Sequence, residues 1–345
     1  MRLILILCIF FFCAVPVSAR ELTAPPVPES GAMYMPQNTE SFQRALWRMI
    51  RDAASQIQPE LTEVISICLS VLIVILLVTL VNQIPGGKHA PVNLIASTAI
   101  SVLLLSSTNS LIHLGIDTIH QLSEYGKLLL PVLTSALAAQ GNITSSTALY
   151  TGTAIFDSVM CSTISTLLIP MIYLYLSSSI ACAITDDGIL EKLSKFLKSS
   201  IIWCLKTILY IFTGYIGITG VVSGSTDAAA LKAAKLSISG FVPVVGGILA
   251  DASEAVLVGA SVVKNTAGIY GILATIAVFV GSFFKIGIHY MFIKLTGIIS
   301  TIAGTKNLAD LIDNFSSAMG LLLAMTGSVC LLLLISTVCF IKGVG

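Results

Sequence analysis

Charge is scarce in this chain. Asp, Glu, Lys and Arg make up 10% of its 345 residues, against about a quarter in an ordinary soluble domain. With 56% hydrophobic residues and a mean hydropathy of +0.97, the chain carries more apolar surface than a soluble fold of this length can bury. Neither sign of charge dominates. The formal net charge is +1 and no loop gathers basic residues, which excludes the electrostatic footprint of a nucleic-acid binder. Catalytic signatures are missing as well: there is no Gly-x-Ser-x-Gly elbow, Walker A loop, His-Glu-x-x-His pair or dinucleotide fingerprint. His89, His113, His120 and His289 are dispersed. Cys8 and Cys13 fall in the leading segment, while Cys68, Cys161, Cys182, Cys204, Cys330 and Cys339 sit inside apolar runs without metal-ligand spacing. They read as small packing residues. These absences set aside an enzyme, a cofactor and a metal centre, and leave a chain that works within a bilayer.

At about 20 residues per helical crossing, the length allows roughly five to eight spans. Met1 and Arg2 form a basic start, Leu3 to Val15 an apolar core, and Val17-Ser18-Ala19 a small-residue cleavage site. Residues 1–19 are therefore expected to be a signal peptide or, if uncleaved, a signal anchor. In either case residues 20–60 fall on the non-cytoplasmic side. Pro25, Pro26, Pro28 and Pro36 favour an extended linker. Phe42, Leu46, Met49, Ile50, Ala53 and Ile57 then recur at helical spacing, with Arg44, Arg48, Arg51 and Asp52 elsewhere on the surface. This predicts an amphipathic helix ended by Pro59, suited to lie on the outer membrane surface, dock on a partner or pack on its own membrane domain.

A leading pair of spans is expected within 61–116, from Leu61 to Val81 and from Val92 to about Leu105, with Lys88 between them on the cytoplasmic side. Beyond Ser106-Ser107-Thr108-Asn109, an amphipathic stretch carries His113, Asp117, His120, Glu124 and Lys127; it belongs at an interface or lines a polar interior. The remainder reads as a tandem repeat, 117–224 and 229–343. Leu129 to Ala139 matches Phe241 to Asp251 in pattern, each an apolar-Pro-Val run followed by small residues. In both halves a long apolar run, a polar break, a short helix and a last span follow. The predicted class is thus an all-α, polytopic helical membrane protein with an internal tandem repeat, open to re-entrant or broken helices. Pro131 in one half, and Pro243 with Gly246 and Gly247 in the other, either form a gate of discontinuous helices or simply kink interfacial ones. Pro170 marks a place for the first long run to bend, and Lys285 with His289 a place for the second to break.

Ionisable groups inside apolar runs are costly and point to function. Asp157, Lys206, Lys285, His289 and Lys294 are the candidates, although the lysines can also snorkel to an interface. Gly214, Gly217, Gly220 and Gly224 follow at three- and four-residue steps, and Gly268 and Gly271 repeat the theme. Such small residues allow close helix approach, within the chain or at a dimer seam.

The leading signal, the Pro-rich linker with its amphipathic helix, and above all the run Ser237-Ile238-Ser239-Gly240-Phe241-Val242-Pro243-Val244-Val245-Gly246-Gly247-Ile248-Leu249-Ala250-Asp251 resemble the stage III sporulation protein AE family of endospore-forming bacteria. The resemblance covers the layout of the whole chain and is most specific from Ser237 to Lys264. It implies a non-enzymatic integral subunit of the stage III A assembly in the mother-cell membrane around the forespore. With stage II sporulation protein Q from the forespore side, that assembly would form a channel or feeding tube needed for forespore development and late gene expression. The resemblance implies no catalytic residue and no cofactor, with energy supplied by a separate ATPase subunit. Two other readings suit the residues: a stand-alone secondary transporter with a site between the Pro-Val segments, and a structural membrane scaffold.

Overall fold

The computed structural model describes residues 25–35, 42–83, 89–185, 188–241, 246–303 and 305–342, and their side chains apart from 89–90, 219–265 and 342. The signal segment and Pro243 lie outside the described residues. Every described element is helical. An N-terminal arm holds α1 (Glu29–Ala32) and α2 (Phe42–Ser55), followed by α3 (Gln58–Asn82) and α4 (His89–Ala139). Then come α5 (Ile143–Thr163), a π turn (Ile164–Leu168), α6 (Ile169–Thr185), α7 (Gly188–Phe241), α8 (Gly246–Ile302) and α9 (Lys306–Lys342). Six of these helical stretches are long and apolar enough to cross a membrane, as the composition requires.

The burial pattern explains the packing order. In α3, Val64, Cys68, Val71, Ile75 and Val78 are buried at steps of four and three, while Ile65, Leu69, Ile73, Leu76 and Leu80 are exposed. A helix apolar on every side, with one seam against protein, has the remaining faces for lipid. Helix α9 lies at the centre, touching α4, α5, α6, α7 and α8, and buries Leu308, Ile312, Phe315, Met319, Leu322 and Val329. Hydroxyl bonds add glue between helices: Thr118 meets Ser282 at 2.5 Å, and Thr153 Oγ1 donates to Ser336 Oγ at 3.0 Å.

The π turn has a readable cause. Met160, Ile164, Leu168 and Ile172 are all buried at successive four-residue steps, and each such step overshoots a straight α-helical face by about 40°. Left alone, the stripe would swing off its seam. A wider turn absorbs the overshoot and makes room for the ring of Pro170, which would otherwise crowd the carbonyl four residues back.

Several places where the sequence allowed a break are continuous helix. Helix α4 runs through Ser106 to Asn109 and through Pro131 without interruption. Its polar stretch is held by neighbours: Tyr173 OH donates to Asn109 Oδ1 at 2.8 Å, and Ser107 and Thr108 are buried. Around Pro131, Leu129, Leu130 and Leu133 are buried, and Thr134 Oγ1 donates to the Leu130 carbonyl at 2.7 Å. Burial of these side chains against the bundle thus offsets the bond that Pro131 cannot give to the Lys127 carbonyl. Helix α8 likewise passes straight through Lys285 and His289. Pro59 stands in the first turn of α3, where a proline costs nothing, and α2 ends before it at Ser55, whose Oγ donates to the Asp52 carbonyl at 2.7 Å.

Two heights result. Helix α3 runs parallel to the second half of α8, Glu60 beside Lys285 and Cys68 within reach of Thr296, and its 25 residues span one bilayer at 1.5 Å each. Helices α4 and α8, of 51 and 57 residues, are about twice as long. Above Lys285 the arm takes the place of α3 on α8: Ala45 and Met49 pack with Leu273 and Ala277. There a Cβ on Gly31 would stand 2.9 Å from the Val278 backbone nitrogen, so only glycine allows that approach.

Candidate functional site

Among the described residues, three polar places interrupt the apolar bundle. The first is a seam between α4 and α5. His113, Asp117, His120, Glu124 and Lys127 recur at steps of three and four and are all exposed, so one face of α4 carries ionisable groups along about 20 Å. Beside it Asp157 of α5 is only 6% exposed. Its Oδ2 accepts a hydrogen bond from Ser123 Oγ at 2.6 Å, and Lys127 is the cation whose field reaches it. A buried carboxylate needs such partners to offset its desolvation. His120 Nδ1 lies 4.0 Å from Cys161 Sγ on the same seam.

The second place joins the arm to the bundle. Glu60 in the first turn of α3 pairs with Lys285 of α8 at 2.6 Å, beneath a cavity of about 450 Å³ lined by Tyr34, Gln56, Gly281 and Phe284 among others. Tyr34 OH donates to Gln56 Oε1 at 3.1 Å. Burial pushes the Tyr34 phenol above its ordinary range, while the charge of Lys285 pulls it down. One turn along α8, buried His289 donates from Nδ1 to the Lys285 carbonyl at 2.9 Å.

The third is a cleft of about 480 Å³ at the opposite end, between α6, α7 and the start of α9. Lys195 pairs with Glu191 and Lys294 with Asp313. Lys198 Nζ donates to Ser317 Oγ at 2.8 Å, and Tyr175 OH donates to Asn314 Oδ1 at 2.9 Å. Its charges largely compensate one another, which suits a structural junction.

The structure therefore sets Asp157 in the first place and Lys285 with His289 in the second. Lys206 stands apart, exposed on α7 between Trp203 and Tyr210, which are 70% and 73% exposed. Aromatic rings flanking a lysine mark a membrane–water boundary. Gly246 and Gly247 open α8, and Gly220 and Gly224 lie within α7, described as backbone only. Of the two Pro-Val segments, Pro131 alone belongs to the described side chains. The glycine pairs divide. A Cβ on Gly271 would come within 2.6 Å of Leu129 Cδ2, whereas Gly214 and Gly217 have nothing within 4 Å. Sequence reasoning did not single out Glu60 or Ser123. A lone acid in the first turn of an apolar span was a usable signal for Glu60; a serine on a polar helix gave none.

The family model described as stage III sporulation protein AE matches residues 32–343. The chain belongs to this family. Stage III sporulation protein AE of Bacillus subtilis (strain 168) is 27% identical over 177 residues, which cover 51% of this chain and 44% of that relative. The aligned region thus spans less than half the length of the relative. No solved structure matches. Membership in the stage III sporulation protein AE family gives the chain a role in sporulation, and the family is named for that process and not for a reaction. The six apolar helices make it a membrane protein. The residues matched by the stage III sporulation protein AE family take in α2 and the whole bundle.

Proposed function

We propose that this chain is a non-enzymatic, multi-pass subunit of the stage III A channel complex linking mother cell and forespore. It sits in the mother-cell membrane around the forespore, with its arm on the non-cytoplasmic side. It acts there with the other stage III A proteins and, through them, with stage II sporulation protein Q, to support forespore development and late gene expression. The observation that carries the reading is the family match over 32–343. Its physical support is the two-height bundle: beyond the height of α3, the ionisable face of α4 and the arm offer polar surface outside one bilayer, as a subunit reaching toward a second membrane needs.

The transporter reading requires two discontinuous segments, and Pro131 lies in an unbroken helix, which removes one of them. Co-purification from sporulating cells tests the proposal. A tagged chain should bring down other stage III A proteins, and its deletion should abolish late forespore gene expression. Solute uptake by liposomes containing the purified chain alone would instead establish a self-sufficient transporter.

A further inference from the structure

We propose that the outward face of α2 is a docking surface for an acidic protein segment, reached from the extracytoplasmic space. The helix has two unlike faces. Ala45, Met49 and Ala53 are at most 3% exposed, the first two held against Leu273 and Ala277 of α8. On the other side Arg44 and Arg51, seven residues apart, are exposed with Trp47 between them 73% exposed; Arg48 on the same face already has an interaction of its own, and Asp52 is the one acid beside them. Trp and Arg are the residue types that dominate binding energy at protein interfaces. A guanidinium row recognises carboxylates through paired, charge-assisted hydrogen bonds.

An anionic lipid surface is the competing occupant, and the geometry disfavours it. A membrane-bound amphipathic helix buries its apolar face in lipid, but here that face is already committed to α8. The helix also runs alongside α8, Ala53 near the Glu60–Lys285 junction and Ala45 with Met49 against Leu273 and Ala277. From Arg51 to Arg44 the row climbs about 10 Å, so a flat headgroup layer meets only its lower end. A peptide carrying acidic side chains along one edge would meet the whole row. The inference rests on the assembly reading and names the chemistry of one partner in it.

The test uses the full chain in sporulating cells with photoreactive benzoylphenylalanine at Gln43, an exposed neighbour of the row. Irradiation should give a protein adduct whose crosslinked peptide is rich in Asp and Glu. Arg44→Glu with Arg51→Glu should cut its yield about tenfold or more at unchanged chain level. Changing the identified acids to lysine should restore it. A lipid adduct, an adduct to a peptide without acids, no adduct, or an adduct indifferent to the two substitutions would overturn the proposal. If the other stage III A proteins still co-purify in those cases, the assembly reading stands and only this surface falls.

Discussion

Asp157 is held by one hydroxyl, with Ser123 Oγ donating to its Oδ2 at 2.6 Å, in a setting where an unpaired charge would be expensive. Asparagine keeps the shape and an accepting oxygen, so Asp157→Asn should leave thermal stability in detergent within about 1 kcal/mol of the parent. Asp157→Leu removes the acceptor and should cost about 1–3 kcal/mol. Equal losses in the two variants would mean that the negative charge itself, through Lys127, holds α4 to α5. The same pair separates structure from function. If Asp157→Asn accumulates normally but forespore gene expression fails, the carboxylate acts in the complex beyond packing. The sequence made Asp157 conspicuous as an acid in an apolar run. It could not name Ser123, because that pairing joins positions 34 residues apart.

Among elements, the π turn between α5 and α6 makes the sharpest prediction. If it absorbs one residue of overshoot, deleting Ser165 together with Pro170→Ala should convert Ile164–Leu168 to ordinary α-helix. Both flanking faces, Asp157 toward Ser123 and Tyr175 toward Asn314, should then stay in place. Deleting Ser158 instead should rotate one side by about 100° and unfold the seam. Thermal unfolding and accumulation in membranes distinguish the two deletions, and equal damage would mean that the turn is not a single-residue insertion. Pro170 was legible as a place of disturbance, but its form was not. The reason lies in the four-residue rhythm of Met160, Ile164, Leu168 and Ile172, which acquires meaning only when all four face the same seam. At Pro131 local propensity left a broken helix and a kinked one both open, and in the packed bundle the helix is continuous.

The molecule as a whole is taller than one bilayer, because α4 and α8 continue past the height at which α3 ends against Lys285. Val102 of α4 is 66% exposed at the height of α3, whereas Glu124 is exposed on the ionisable face above it. In a chain stripped of its own cysteines, Glu124→Cys should react with a membrane-impermeant maleimide from the extracytoplasmic side, and Val102→Cys should not. Protection of both positions would place the upper bundle in lipid or under a partner and would remove the two-height reading.

By itself the sequence determined the helical class, the membrane as solvent, the amphipathic arm helix and the family, because hydropathy, periodicity and a distinctive run of residues are local properties of the chain. Only the tertiary structure decided that the arm packs on α8, that α9 sits at the centre, that Glu60 meets Lys285, and that α4 passes unbroken through Asn109 and Pro131. Those outcomes depend on contacts between residues distant in sequence. Their combined burial outweighs the preferences of any single turn.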